Sequence, residues 1–258
     1  MNACVVEIDH EKSVLKIYES NSFESQTAGK SFNIAFSQGI PIILATVEQV
    51  ENTPKQVMLL VDTGADVPFS LYSNGGLEFL PSPEAPFSYI SEGIKGDVHG
   101  HWARINAISF DSIRMDNCLV AYPTEGFDDV VATLGQNGFF GLDAQRRFTI
   151  TFDYPHSQIF LKPNSRFGVP FEFNMAGLVL RTLPDSSVEV IDVLPTSSGS
   201  KAGIKKGDHI VALNGQKTSS ISYAEREQLF TQNNQLIQIS INRDGHIIDF
   251  KLTLKRII

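Results

Sequence analysis

The sequence has little cysteine and no long apolar run, and each shortage excludes a class of protein. Two cysteines, Cys4 and Cys118, among 258 residues are too few for a disulfide framework, and they could either pair or stay free. The longest apolar run, residues 40–47, is far shorter than the roughly 20 residues that a membrane-spanning helix needs. Met1 leads almost directly into strand-like residues 5–8. We therefore expect no membrane span and no signal peptide in this chain.

Positive charge is scarce as well. Lys and Arg number 21 against 29 Asp and Glu, which gives a net charge of −8 and argues against nucleic acid and anionic membranes as partners. Of six scattered histidines only His99 and His101 lie close together, and no third ligand follows at metal-site spacing. No glycine-rich phosphate loop follows a strand. The sequence therefore predicts no metal and no cofactor.

The composition and the turn residues indicate a β-protein. Apolar residues make up 42% of the chain and charged residues 19%, which is typical of a soluble globular protein. Short strand-like runs broken by Gly, Pro and Asn occupy residues 40–121, whereas amphipathic helical periodicity is nearly absent before residue 141. This pattern predicts a mainly β fold, a barrel or a sandwich.

The most informative stretch is the apolar run 58–61, which leads straight into Asp62, Thr63 and Gly64. Four apolar residues in a row indicate a strand buried on both faces, so Asp62 stands where a buried strand ends. An ionised carboxylate there needs hydrogen-bond donors or a second carboxyl group that shares its proton. A turn aspartate that caps its own loop is the alternative for an isolated Asp-Thr-Gly.

A second motif, residues 138–143, places two phenylalanines between glycines about 80 residues later. Together the two motifs resemble those of retropepsin-like aspartic proteases, over roughly residues 40–163. The resemblance implies a retropepsin-like β-barrel lobe with a glycine-rich flap at residues 92–98. It assigns catalysis to Asp62, Thr63 and Gly64, bracing of the site to Phe139, Phe140 and Gly141, and substrate contacts to Ala65, Asp66, Gly93, Ile94 and Gly96.

The chain departs from the family at one place. Retroviral members usually have Arg where Leu142 stands, paired with the acid that corresponds to Asp66. Leu142 cannot form that pair, so Arg146 or Arg147 would have to reach Asp66 instead.

A carboxyl pair needs two aspartates, and the chain contains a single Asp-Thr-Gly. The second aspartate would come from a dimer mate or from a missing N-terminal lobe. Residues 5–17 resemble residues 149–161, with Asp9 aligned on Asp153. Either these are unrelated hairpins, or residues 1–19 are the tail of a preceding lobe and residues 20–39 a linker.

The last third of the chain carries three further motifs in order, at residues 202–204, 207–210 and 214–215. Their spacing resembles that of a PDZ domain, here residues 173–258 after a linker at 164–172, with a groove helix at 222–231. The resemblance implies that a peptide adds as a strand and that its terminal carboxylate meets backbone amides. The groove residues it assigns are Ala176, Gly177, Leu178, Val179 and Leu180.

The combined pattern is similar to envelope aspartyl proteases of Bacteroidetes type with a C-terminal PDZ domain. It implies an aspartic endopeptidase of the periplasm or cell envelope, acting on a peptide or protein substrate. The alternative is a non-catalytic peptide-binding or scaffold protein that retains a protease fold.

Overall fold

The structure is a computed structural model that describes residues 4–49, 53–93, 96–125 and 135–258. The chain divides into two compact units. The first contains residues 1–82, 90–98 and 103–171, and the second contains residues 83–89, 99–102 and 172–258. The domain boundaries drawn from the sequence stay a prediction.

The first unit is built on a large sheet. Its strands follow the order β2-β1-β11-β12-β3-β4-β5-β10-β6-β9-β8-β7, with a further pairing of β4 and β8. They are β1 (Cys4–Asp9), β2 (Val14–Glu19), β3 (Lys30–Ser37), β4 (Ile40–Glu48), β5 (Lys55–Val61), β6 (Phe69–Leu71), β7 (Phe87–Gly93), β8 (Gly96–Phe110), β9 (Ile113–Glu125), β10 (Gly138–Phe140), β11 (Phe148–Asp153) and β12 (Gln158–Pro163). Among the described residues of this unit the helical elements are α1 (Leu142–Gln145) and two 3-10 turns, Ser20–Ser22 and Ser25–Thr27.

A cluster of phenylalanines forms the centre of this unit. Phe69, Phe110, Phe140 and Phe148 are fully buried. Phe140 contacts the other three, with ring centroids 4.9 Å from Phe110, 5.7 Å from Phe69 and 6.2 Å from Phe148. Buried aromatic rings contribute both large apolar area and specific ring contacts, so β10 lies at the heart of the core.

The hairpin β1–β2 lies beside the hairpin β11–β12, and the two share their turn chemistry. Strand β1 pairs antiparallel with β11. In the first turn Asp9 accepts hydrogen bonds from the backbone N–H groups of Glu11 and Lys12, and in the second Asp153 accepts one from that of His156. Ser13 and Ser157, which occupy equivalent positions in the two similar segments, both have a left-handed φ, of 54° and 53°.

The second unit is a six-stranded sheet with short helices. The strand order is β13-β14-β15-β17-β18, and β16 pairs with β15. The strands are β13 (Leu178–Thr182), β14 (Val188–Val193), β15 (His209–Leu213), β16 (Gln216–Lys217), β17 (Leu236–Arg243) and β18 (His246–Thr253). The helices are α2 (Ser198–Ala202) and α3 (Tyr223–Phe230), with a 3-10 turn at Thr218–Ser220.

Local sequence explains the turns and helix ends of this unit. Asn214 and Gly215 both have positive φ, 49° and 80°, as a tight Asn-Gly hairpin turn requires. Ser222 and Glu225 form a reciprocal capping box at the start of α3. The buried core comes from alternate apolar residues of the strands, such as Ile237, Ile239 and Ile241 of β17, each at most 1% exposed. The predicted mainly β architecture is confirmed.

The described ranges contain neither a membrane-spanning helix nor a disulfide. None of the helices there is both long and apolar enough to cross a membrane. No disulfide joins Cys4 and Cys118. Burial raises the pKa of the Cys118 thiol to about 12, so this thiol stays protonated and is a poor nucleophile at neutral pH.

Candidate functional site

The loop after β5 carries the predicted Asp-Thr-Gly residues. Leu59, Leu60 and Val61 are buried, and Asp62 follows with a partly exposed side chain. The Gly64 N–H donates to Asp62 Oδ1 at 2.8 Å. Asp62 therefore accepts a hydrogen bond from its own loop, the arrangement expected of an aspartate that stabilises a turn.

The second motif packs directly against this loop. Strand β10 runs parallel to β5 and antiparallel to β6. The Asp62 N–H donates to the Phe140 carbonyl at 3.1 Å, and the Leu142 N–H donates to the Ala65 carbonyl at 2.7 Å. A Cβ on Gly141 would lie 2.1 Å from the Val67 carbonyl oxygen. The structure thus brings together the two motifs that the sequence singled out.

A carboxyl pair is not formed around Asp62 within the described residues, where no hydrogen bond joins Asp62 to another carboxyl group. Arg147, one of the two arginines expected to pair with Asp66, makes its contacts elsewhere. Arg147 donates to the Asp143 carbonyl at 2.7 Å and to the Val169 carbonyl at 3.3 Å, and its guanidinium lies 3.7 Å from the Phe171 ring centroid. Its role is to hold the segment that ends this unit.

Of the predicted flap, residues 92–98, the structure describes the end of β7 and the start of β8. Gly93 ends β7 and Gly96 begins β8 with a left-handed φ of 118°. Ile94, also predicted to contact substrate, lies outside the described residues. His99 and His101 near the hairpin pack against Phe87. Across the described ranges no group of three or more His, Cys, Asp or Glu side chains is placed to hold a metal ion.

In the second unit a groove lies between β13 and α3. At one end the Met175 N–H, just before β13, donates to the carbonyl of Phe230 at 2.9 Å. At the other end Arg226 Nη2 donates to Thr182 Oγ1, at the last residue of β13, at 2.7 Å. Helix α3 therefore runs alongside β13 in the opposite direction. Because β13 is the terminal strand in the described order of this sheet, its outer edge faces the helix.

A tight loop precedes β13. The Ala176 N–H donates to Asn174 Oδ1 at 3.0 Å and the Gly177 N–H donates to the Asn174 carbonyl at 2.8 Å. Gly177 has a φ of +73°, and a Cβ there would lie 2.2 Å from Ser197 Cβ, so only glycine fits. Two of the amides that the sequence assigned to a ligand carboxylate thus already donate to Asn174.

Helix α3 contributes two groove side chains that sequence reasoning missed. Arg226 is 4% exposed, and its guanidinium carbon lies 5.4 Å from the centroid of the Tyr223 ring. Tyr223 is 47% exposed. The capping signal Ser222-x-x-Glu225 fixes where the helix starts, and the helical repeat then places residues 223 and 226 on neighbouring positions of one face. That signal could have identified both residues.

An ion pair holds the strand that begins at residue 209. Asp208 is 1% exposed, and its carboxylate accepts from Arg243 Nε at 2.6 Å and Nη2 at 2.7 Å. It also accepts from the Lys205 N–H at 2.8 Å. Burial alone would raise the pKa of Asp208, but the hydrogen bonds from Arg243 and Lys205 outweigh it and hold the pKa below its ordinary value.

Comparison with known proteins identifies this second unit. Residues 165–254 match the family model of the PDZ domain. The chain therefore contains a PDZ domain, as predicted.

The relatives named below are all proteases by their printed names. The "probable periplasmic serine protease do/HhoA-like" of Haemophilus influenzae is 41% identical over 66 residues, which are 26% of this chain. The chain spans 14% of the length of that relative. Among solved structures, the photosystem II D1 C-terminal processing protease gives a TM-score of 0.32 at 21% identity, covering 37% of this chain and 26% of the other. The HtrA-type protease AlgW with a decapeptide gives 0.34 at 16% identity, covering 95% and 68%.

TM-scores this low carry no argument about the fold, but the named relative corrects the predicted function. The prediction of an aspartic endopeptidase is wrong, because the curated relative is a serine protease by name, and the retropepsin-like lobe is not supported. The physical reason is that the resemblance depended on two short motifs, whereas carboxyl-pair hydrolysis depends on two adjacent carboxyl groups. The roles assigned to residues of the two motifs stay predictions. Neither a dimer mate nor a missing lobe is shown by these comparisons. Both were predicted only as a source of the second aspartate.

Proposed function

We propose that this protein binds an extended peptide, which adds as a strand to the outer edge of β13 in the groove between β13 and α3. The observation that carries the proposal is the position of α3, held alongside a terminal strand by hydrogen bonds at both ends. Strand addition supplies affinity through main-chain hydrogen bonds, and pockets for alternate side chains supply specificity. The ligand is a segment of a peptide or protein substrate.

The opposite edge of the sheet is the natural comparison. Strand β18 is terminal there, but its exposed side chains include Asp249 and Lys251. Charged side chains on an edge strand discourage pairing with another chain. Strand β13 instead begins with Leu178, Val179 and Leu180, so the β13 edge is the one suited to a peptide.

The carboxyl end of the ligand is the part that we place near Ala176–Leu178. The side-chain oxygen of Asn174 accepts from the Ala176 N–H, and this oxygen can rotate away about the Asn174 side-chain bonds. A carboxylate that takes its place gains a charge-assisted hydrogen bond, which is about twice as strong as a neutral one. The Gly177 N–H remains in its turn.

Replacing Tyr223 by alanine tests the groove. We expect Tyr223→Ala to weaken binding of a peptide with an apolar carboxyl-terminal residue by about tenfold, because an aromatic groove wall is lost. Fluorescence anisotropy with a labelled peptide measures the affinity. The matched control is Ile247→Ala, which removes another exposed apolar side chain, 61% exposed on β18. Equal effects of both substitutions would contradict the proposed groove.

We also propose that the protein works in the cell envelope. The support is the periplasmic location in the name of the curated relative. Fractionation of cells that produce the protein tests this. Recovery with the periplasmic or membrane fraction is expected, and recovery in the cytoplasm would contradict it.

Serine-type peptide hydrolysis is a second candidate, favoured by the name of the same relative. This chemistry needs a serine hydroxyl within hydrogen-bond reach of a histidine ring. In the part of the chain that the structure describes no such hydrogen bond is present, and the His156 ring instead contacts Asp153 at 2.8 Å. Stoichiometric labelling by a fluorophosphonate would establish the activity, and absence of labelling would leave peptide binding as the function.

A further inference from the structure

Helix α3, beside the groove, carries a buried cation whose charge the described residues do not balance. Arg226 is 4% exposed, and within the described ranges no ion pair involves it. Its one hydrogen bond goes to the neutral hydroxyl of Thr182, and its Nε is buried without a hydrogen-bond partner. A buried charge without a counter-ion is costly, so this position favours any ligand that brings an anion to it.

In the described structure neither Glu225 nor Glu227, the adjacent acidic residues, forms an ion pair with Arg226. Glu225 is committed to the capping box, where its carboxylate accepts from both the backbone N–H and the hydroxyl of Ser222. The Tyr223 ring covers the guanidinium, at 5.4 Å from the centroid. A ring face stabilises a cation but leaves its N–H donors unused. The N–H groups that remain can therefore donate hydrogen bonds to a carboxylate from outside the chain.

The register of strand addition fixes which ligand residue reaches Arg226. Residues Leu178, Leu180 and Thr182 alternate onto one face of β13, since alternate side chains of a strand share a face. Leu178 and Leu180 pack on the core, and Thr182 contacts Arg226. A ligand that runs antiparallel to β13, with its terminal residue opposite Leu178, places the residue four positions earlier opposite Thr182, on the same face.

We propose that Arg226 selects peptides with Asp or Glu four positions before the carboxyl-terminal residue. The terminal residue is counted as position 0, so the selected residue is position −4. This inference rests on the proposed peptide binding and deepens it. The carboxylate at −4 accepts charge-assisted hydrogen bonds from the Arg226 guanidinium, whereas position −1, opposite Val179, points to the other face and lacks this contact.

Three peptides of otherwise identical sequence test the inference with the unaltered protein. They carry Glu at −4, Gln at −4, or Gln at −4 with Glu moved to −1, and fluorescence anisotropy gives each affinity. We expect Glu at −4 to bind about tenfold more tightly than Gln at −4, the size of effect that one charged hydrogen bond gives. Glu at −1, opposite the apolar Val179, should bind as weakly as the Gln peptide. Position −3 is avoided because it lies opposite Arg181.

Variants then assign the preference to one side chain. In Arg226→Met, which keeps the length of the stem, the preference for Glu at −4 should disappear, and in Arg226→Lys part of it should return. Lys251→Gln on β18 removes an exposed positive charge and should leave the preference unchanged. Circular dichroism checks that each variant is folded. The comparison of peptides on the unaltered protein decides the question even if Arg226→Met does not fold.

The outcomes separate the inference from the function on which it rests. Saturable binding of all three peptides with equal affinity would overturn the role of Arg226 and leave peptide binding intact. An equal gain from Glu at −1 and at −4 would also overturn it, because it would show a diffuse charge effect. Absence of binding by every peptide at millimolar concentration would overturn both proposals.

Discussion

Replacing Asp208 by alanine is expected to lower the free energy of unfolding of the PDZ unit by about 3 kcal/mol, which is the low end for a broken buried ion pair. Asp208 is 1% exposed and accepts two hydrogen bonds from Arg243 and one from the Lys205 N–H. The loss stays at the low end because the Arg243 side chain is 27% exposed and keeps contact with water. Urea denaturation measures it, followed through the amide signals of β15 and β17, the strands next to Asp208 and Arg243.

The control for this substitution is Asp249→Ala, which removes an exposed carboxylate on β18. A surface change of this kind is expected to alter stability by less than about 0.5 kcal/mol. An equal loss of unfolding free energy in both variants would contradict the stabilising role of the ion pair.

The same ion pair predicts how stability depends on pH. The pKa of Asp208 is lower in the folded protein than its ordinary value, so in acid the unfolded chain binds the extra proton. Its contribution is therefore fully present above the unfolded pKa, about 4, and is lost as the pH falls through the lower folded pKa. Urea midpoints measured between pH 2 and 7 should fall in acid for the unaltered protein and fall less for Asp208→Ala. Parallel pH curves would contradict this.

Replacing Gly138 by alanine is expected to destabilise the first unit by about 3 kcal/mol or more, the upper range for overpacking a core. A Cβ there would lie 1.8 Å from the Ser70 carbonyl oxygen and 2.9 Å from its carbon. Both atoms belong to the backbone of β6, which pairs with β10, so relief requires separating two strands. Hydrogen exchange of the β5 and β10 amides measures the effect on this unit.

Gly168→Ala is the matched control, because a Cβ at Gly168 meets nothing within 4 Å. It should leave the exchange of these amides unchanged. Normal exchange protection in Gly138→Ala would contradict the close packing of β10 between β5 and β6.

The strands of the first unit were predictable because turn residues mark their ends. Leu59, Leu60 and Val61 are buried as predicted, whereas Met58, at the start of the same apolar run, is 42% exposed. The contact between the two glycine motifs is one that the family resemblance implies. The chemistry was not predictable from these motifs. A short sequence match specifies a loop shape, whereas hydrolysis depends on which groups meet across the fold, and Asp62 bonds to its own loop.

The family of the PDZ unit was predictable because the turn at Asn214 and Gly215 and the neighbouring motifs have fixed spacing. The buried positive charge beside its groove was not predictable. Arginine on a short helix normally indicates a solvent-exposed face, and only the position of α3 against Thr182 shows that Arg226 is buried. That position is a tertiary contact between residues 44 apart in the chain.

The measurement that tests peptide binding most directly is chemical-shift mapping of the amide signals during titration with the Glu −4 peptide. The account predicts that the largest shifts occur in Leu178–Thr182 and Tyr223–Phe230 and saturate together. Amides of His246–Thr253, at the other edge of the sheet, should shift little. Shifts centred on that edge, or no shifts at saturating peptide, would contradict the account.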